Sequence, residues 1–489
     1  MLQRDNLHFL PRLIRLALPI ALQSLMTTTL NLVDTVMVGQ LGEVQIGAIA
    51  LGNQVFFLLL LFLFGVGGGG AVFASQFWGG RDVHGVRKSL AIALIVGLAG
   101  AAFFTVLAET IPTRLLGIFT TDRAVISEGS GYLRIVALSY FFTAISISYS
   151  FGLRSIGDTK LPMYATAVSI AFNIVGNYIL IFGKLGFPAM GVRGAAISTA
   201  VARLLEVAVI LTVVYRRNGP TAIRKADIRR IDRVFVRTYF KRALPVILNE
   251  IFWSTGFTMY TVVFARMGTP FLAAYNITDT VGRLMLVFFM GTGNATAIVI
   301  GNMIGAGKIG TAERAGNTIL KLAPLVSAAM GVFVIVVVAP LTPYLFSVSD
   351  QVHTLIRQFM RMFGLLIVMK VTNMHVIVGI LRGGGDTKYA LAIDILPLWL
   401  IGVPAAFLTG FVLGVPAPLV YLSLVAEELT RAVIGWRRVR SGLWVNDLIG
   451  SKSLEERYKP IPGYETTGIP VMNPRPTMSP GVSRPRLRR

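Results

Sequence analysis

Asp34, Glu250 and Lys370 each stand inside a run of apolar residues long enough to cross a bilayer. An ionisable side chain in hydrocarbon costs several kcal/mol unless it is paired or neutralised, so such positions mark a functional site by default. The chemistry open to them is the exchange of a proton or the binding of a small cation. Burial disfavours a charged carboxylate and hydrogen-bond donors favour it, so a group held between the two can gain or lose a proton when water reaches it. Asn173 and Asn177 lie four residues apart, hence on one helix face, and Asp34 is their natural partner. Glu250 and Lys370 are expected to form an ion pair in the second half of the chain. Gln54, Tyr260, Asn373 and His375 are candidates to line a substrate cleft. Arg203 with Glu206 (i,i+3) and Glu427 with Arg431 (i,i+4) read as self-neutralising helix pairs. No HExxH, nucleophile elbow or ordered Ser/His/Asp set occurs, so the reading is of a protein that is not an enzyme. No metal site is expected, and no cofactor beyond H⁺ or Na⁺ as coupling ion.

Helices must carry these residues through lipid. Of 489 residues, 54% are hydrophobic and 14% charged, and the mean hydropathy is +0.69. Such a chain is too apolar to cover itself with polar surface in water. Roughly a dozen stretches of about 20 residues are long enough as helices to cross a bilayer core. The first begins near Leu16, lacks a cleavage-like site and recurs mid-chain, so it reads as a retained helix rather than a signal peptide. Cysteine is absent, which excludes disulfides and thiolate metal sites. The net charge of +23 would point to nucleic acid in a soluble domain. Here most Lys and Arg fall on alternate loops and the termini, the positive-inside bias, and the partner is the lipid bilayer, with no nucleic acid. Both termini are expected in the cytoplasm, and the chain in a cell membrane, with the bacterial inner membrane the natural one, as a monomer.

The chain is written twice. Residues 17–42 align with 243–268 without a gap at an offset of 226, and LRSIGDTK at Leu153–Lys160 returns as LRGGGDTK at Leu381–Lys388 at an offset of 228. Asp34 falls opposite Tyr260 and Glu250 opposite Ser24, so each half brings one acid at its own depth. Two copies separated by an even number of spans share one orientation, related by an axis along the membrane normal, with the cleft between them the default site. The expected organisation is a six-helix bundle over 1–215, a basic linker on the headgroups over 216–238, a second bundle over 239–440, and a basic, Pro-rich, disordered tail over 441–489. Pro19 is placed in the first turns of helix 1, and GVGGGG at Gly65–Gly70 reads as a site of close helix packing or a kink. The two GDTK turns end helices and put their Arg and Lys at the headgroups. Asp394 is expected near the interface, and His8 in solvent.

With the repeat, the VDTVMVGQLG segment, the paired LRxxGDTK turns and NIVGNYILIFG, the sequence resembles the multidrug and toxic compound extrusion (MATE) family of secondary transporters over roughly residues 10–440. The resemblance implies an all-α membrane fold of twelve helices, in two pseudo-symmetric six-helix bundles that rock about a central cleft. It implies antiport of cationic or amphipathic small molecules, with an organic cation as the expected substrate, against an H⁺ or Na⁺ gradient. Asp34 matches the family's helix 1 acid and Asn173 its helix 5 Asn, while Asn177 stands where some members carry an acid. Glu250 looks like the helix 7 acid of a cation site whose helix 10 partner is here Val371, next to Lys370. The alternative is a flippase of lipid-linked oligosaccharides or lipids from the same superfamily, which needs a cleft with several cationic residues to hold a pyrophosphate, and here only Lys370 sits deep.

Overall fold

The computed structural model describes residues 9–450, and these are helical almost throughout. Twelve spans follow in order. In the first half they are α1 (Leu10–Gly39), α2 (Glu43–Gly79), α3 (Val83–Thr110), α4 (Arg123–Ala137 and Ser139–Ser155, bent by 48°), α5 (Lys160–Phe182) and α6 (Gly191–Arg216). In the second they are α7 (Arg233–Met267), α8 (Thr269–Gly305), α9 (Ile309–Leu345), α10 (Asp350–Arg382), α11 (Thr387–Val412) and α12 (Ala417–Tyr421 and Ser423–Arg440). Most are apolar enough to span a bilayer on hydropathy alone. The two that are not, α7 and α12, carry a basic entry at Arg233–Arg242 and the buried trio Glu427, Glu428 and Arg431.

Turn chemistry repeats with the sequence. Gly157 and Gly385, in the two GDTK turns, have φ of +91° and +80°, a left-handed conformation that only glycine adopts without strain. Pro19 lies deeper than expected. α1 starts at Leu10, with Pro11 in its first turn, and Pro19 is an interior, buried residue, as is Pro245 in α7. A proline there removes one helical hydrogen bond. The halves differ in backbone: π-helical turns occupy Val334–Val338, His375–Arg382, Leu398–Gly402 and Leu408–Val412, all in the second half.

The main contacts between the halves run through α1, α2, α7 and α8, at residues toward the basic loops. A Cβ on Gly65 would stand 2.5 Å from Ile247 Cα, and one on Gly69 2.6 Å from Ala243 Cα. Removing side chains lets backbones approach in lipid, so the glycine run packs the halves together. Gly291 meets Ala17 and Ala21 of α1 in the same way. Apolar clusters that mix the halves, such as Leu13, Leu16 and Ile20 with Ile298 and Ile300, sit at this basic side. The cores toward the opposite ends are separate: Leu59, Tyr132 and Tyr140 anchor one within the first half, and Phe264, Phe359 and Tyr421 one within the second. The halves are thus closed on the basic side and part away from it.

Two expected boundaries move. The linker is shorter, because α7 begins at Arg233, and it does not merely lie on the surface. Its short helix Lys225–Arg229 is docked by the buried Asp227, which meets His84 Nδ1 at 2.7 Å and accepts from Arg224 N–H at 3.0 Å. Residues 441–450, assigned to the tail, are packed against the bundles. His8 and the remainder of the tail lie outside the described residues.

Candidate functional site

Three sets of polar side chains are buried in the spans. The first joins α1, α5 and α6 on the side away from the basic loops. Asn177 Nδ2 donates to Asp34 Oδ1 at 2.7 Å and to Asn173 Oδ1 at 3.1 Å, and Asn173 Nδ2 donates to Thr199 Oγ1 at 3.3 Å. Asn173 and Asn177 are buried and Asp34 half-buried. The heptad of α5 places its two Asn one turn apart on the stripe that faces α1, so the expected Asp34–Asn173–Asn177 grouping forms. Both N–H groups of Asn177 are used, whereas its Oδ1 is buried without a partner among the described residues. Asp34 accepts here, which a carboxyl group can do in either protonation state.

The second set lies closer to the basic side. Arg154 donates to Gln23 Oε1 at 2.6 Å, Gln23 Nε2 to Thr166 at 2.8 Å, and Thr166 to Glu206 at 2.8 Å; Glu206 also holds Arg203 at 2.9 Å. The third is its counterpart in the second half. Arg382 pairs with Glu250 at 2.8 Å, and Asn249 donates to Asp394 at 2.7 Å. Arg431 reaches Glu427 at 2.6 Å, Asp394 at 3.4 Å and Glu428 at 3.6 Å, and Glu428 holds Lys370 at 3.2 Å. The expected helix pairs Arg203–Glu206 and Glu427–Arg431 therefore exist, each inside a larger network.

Glu250 and Lys370 do not meet. Arg382 lies twelve residues beyond Lys370 on α10, about 18 Å along a helix axis, and Glu250 shares its depth with Arg382. Lys370 instead bonds Glu428 and stands 4.7 Å from the centroid of the Phe257 ring, a cation–π contact. Arg154 and Arg382, placed at headgroups by the sequence, turn inward to these partners. Asp394 is buried rather than interfacial, because Arg431 and Asn249 satisfy it. The cleft candidates also divide. Gln54 is exposed on α2, but Tyr260, Asn373 and His375 are buried within the second half. Tyr260 O–H donates to Glu427, Asn373 Nδ2 to Glu428 Oε2 at 2.7 Å, and His375 Nδ1–H to Val371 O at 2.8 Å, with Nε2 at 2.9 Å from the Thr292 hydroxyl. They brace the core rather than line an opening.

The MatE family model matches residues 19–179 and 245–408, one block in each half. The chain belongs to the MATE family. It is 27% identical over 420 residues to the uncharacterized transporter YisQ of Bacillus subtilis, covering 84% of this chain and 90% of that one. It is 25% identical to the probable multidrug resistance protein NorM of Thermotoga maritima over 88% and 92% of the two chains. Among solved structures, MATE in complex with MaL6 superposes with a TM-score of 0.80 at 22% identity, over 91% of this chain and 97% of that one. An outward-facing MATE multidrug resistance transporter of the MOP superfamily gives 0.80 at 21% identity. The MATE family is one of membrane transporters, and the apolar spans make this chain a multi-pass member of it. The Gln23–Thr166 and Asn249–Asp394 bonds are repeat-equivalent, since 249 − 23 is 226 and 394 − 166 is 228. Applying those offsets to every polar residue shows from the sequence that these four positions correspond in pairs, though not that they bond.

Proposed function

We propose that this MATE protein exports cationic or amphipathic small molecules by alternating access, driven by an inward proton gradient, with Asp34 as the coupling carboxylate. The observation that carries the reading is the chain Asp34–Asn177–Asn173. It gives one half-buried acid a donor when ionised, and in Asn177 Oδ1 an unused acceptor within the same carboxamide for the protonated form. Proton release then follows water reaching Asp34 from the open side, and substrate competes for the site when the carboxylate is charged. A proton is preferred to Na⁺ because Glu250, the acid the family resemblance assigns to a cation site, is committed to Arg382, and Val371 stands in place of its partner. The buried network of the second half supports the same preference. Its three carboxylates, Asp394, Glu427 and Glu428, face two cations, Lys370 and Arg431, and one bound proton balances that charge. A flippase is disfavoured because Lys370, Arg382 and Arg431, which a pyrophosphate would need, are each paired with a carboxylate. The basic side is placed in the cytoplasm by the positive-inside bias.

Reconstituted vesicles loaded with a cationic dye test the reading. An imposed pH gradient should drive dye transport by the wild type in the absence of Na⁺. Asp34→Asn should retain dye binding and lose gradient-driven transport. Transport that follows a Na⁺ gradient alone, or full activity of Asp34→Asn, would show the assignment to be wrong.

A further inference from the structure

The segment after the last span, residues 441–450, crosses from one half of the protein to the other. Its anchor is Trp444, fully buried, whose indole N–H donates to Val439 O at 3.1 Å. The ring lies against Gly384 of the second GDTK turn and Gly316 of α9; a Cβ on Gly316 would stand 3.0 Å from it, and one on Gly384 would collide with it. Asn446 N–H donates to Gly384 O at 2.8 Å. All of these partners belong to the second half, so the segment is fixed there.

Its far end also engages the first half. Gln76, fully buried in α2, donates from Nε2 to Asn446 O at 3.0 Å and accepts at Oε1 from Leu448 N–H at 2.9 Å. One carboxamide thus satisfies a backbone acceptor and a backbone donor two residues apart. Leu448 packs at the seam, with Phe73 of the first half and with Tyr239 and Gly385 of the second, and Ile449 lies over Gly80 of the first half, where a Cβ would come within 2.8 Å of its Cδ1. The repeat puts Asn302 opposite Gln76 (302 − 76 = 226), and neither polar atom of its carboxamide has a partner among the described residues. Among the described residues, Gln76 thus holds a crossing segment and its repeat counterpart Asn302 holds none.

We infer that residues 441–450 are a latch: rooted in the second half by Trp444 and hooked to the first by Gln76, they hold the basic side of the cleft shut. The inference rests on the alternating-access reading above. Opening the basic side separates α2 from α7 and α8, and Gln76 must release Asn446 and Leu448 before that separation. Once released, the segment travels with the second half.

The absence of cysteine makes the test direct. A reporter thiol at Gly68→Cys sits at the seam, where its Cβ would be 3.5 Å from Val246 of α7. In full-length protein in vesicles, its reaction rate with a maleimide reads opening of the basic side without any substrate. Adding Gln76→Leu removes both hooks and should raise that rate by about tenfold, the effect of weakening two buried hydrogen bonds on a two-state equilibrium; an unchanged rate in folded protein overturns the latch. Gly80→Cys with Ile449→Cys, bridged through two disulfides by a short bis(methanethiosulfonate), with sulfinate leaving, gives an independent measurement should Gln76→Leu fold poorly. Bridging should abolish dye export, and reduction should restore it. Export at the unbridged rate while bridged also overturns the latch. If wild-type protein exports nothing, the transport reading fails, and the labelling comparison still decides whether the segment holds the seam closed.

Discussion

A buried charge is decided by what shares its depth, and two residues of the second half illustrate this. Glu250 and Lys370 both lie in apolar runs and have opposite sign, yet Glu250 bonds Arg382 and Lys370 bonds Glu428. Truncating one member of a buried pair strands the other, at roughly 3–5 kcal/mol, whereas removing both can be nearly neutral. Double-mutant cycles on thermal unfolding should therefore show strong coupling between Lys370→Met and Glu428→Gln. The cycle of Glu250→Gln with Lys370→Met should be additive to within about 0.5 kcal/mol, and strong coupling there would contradict the geometry. At this scale the sequence was legible where partners lie close along one helix, as in Arg203–Glu206 and Glu427–Arg431, or where polar residues are scarce, as around Asp34. It was illegible where a choice among partners depends on relative helix depth, which no residue type encodes. In the first half, Asn177→Leu removes the donor to Asp34 and leaves Asn173 in place; gradient-driven dye transport should fall, with the fold retained on size-exclusion chromatography. Wild-type transport by Asn177→Leu would remove Asn177 from the coupling chain.

Between elements, glycine does most to set how the halves approach. The run Gly65–Gly70 carried a packing signal in the sequence, but its partner could not be named before Ala243 and Ile247 were seen against it. Adding a methyl group where backbone already fills the space costs about 1–3 kcal/mol. Gly69→Ala should therefore lower the thermal midpoint of purified protein, while Gly117→Ala, which meets nothing within 4 Å, should leave it unchanged or raise it slightly. Equal effects of the two would mean that the seam yields freely. Helix ends were legible from the GDTK turns because Gly157 and Gly385 need a left-handed backbone. The π-helical turns of α9, α10 and α11 were not legible, since Val334–Val338 and His375–Arg382 have no residue that demands a wide turn. Hydropathy likewise underrated α7 and α12, whose buried charges are neutralised in part by partners on other helices, as Glu250 is by Arg382 and Glu428 by Lys370.

For the whole molecule, the repeat and the apolar spans made twelve helices in two halves readable, and the segment 441–450 escaped because ten polar and mixed residues after a last helix look like the start of a tail. Topology is open to a thiol test. Ser155 is fully buried, so a thiol there would resist reagent on either side, and the exposed Lys160 of the same turn serves instead. Lys160→Cys should resist an impermeant maleimide in intact cells and react once they are opened; labelling in intact cells would invert the orientation. The seam itself has a further property. Gly79 abuts the backbone of Asn302, and Gly305 abuts the backbone of Gln76, a reciprocal contact, since both pairs are related by the offset of 226. That is the pattern of an isologous interface, in which residue i of one subunit meets j of the other and j meets i. The halves join as the subunits of a twofold dimer would, with residues 217–232 as a covalent tether between them. A tether of this kind sets stoichiometry rather than fit. Cutting it between Arg230 and Ile231, by expressing the two pieces from separate genes, should still yield halves that assemble in the membrane and purify together.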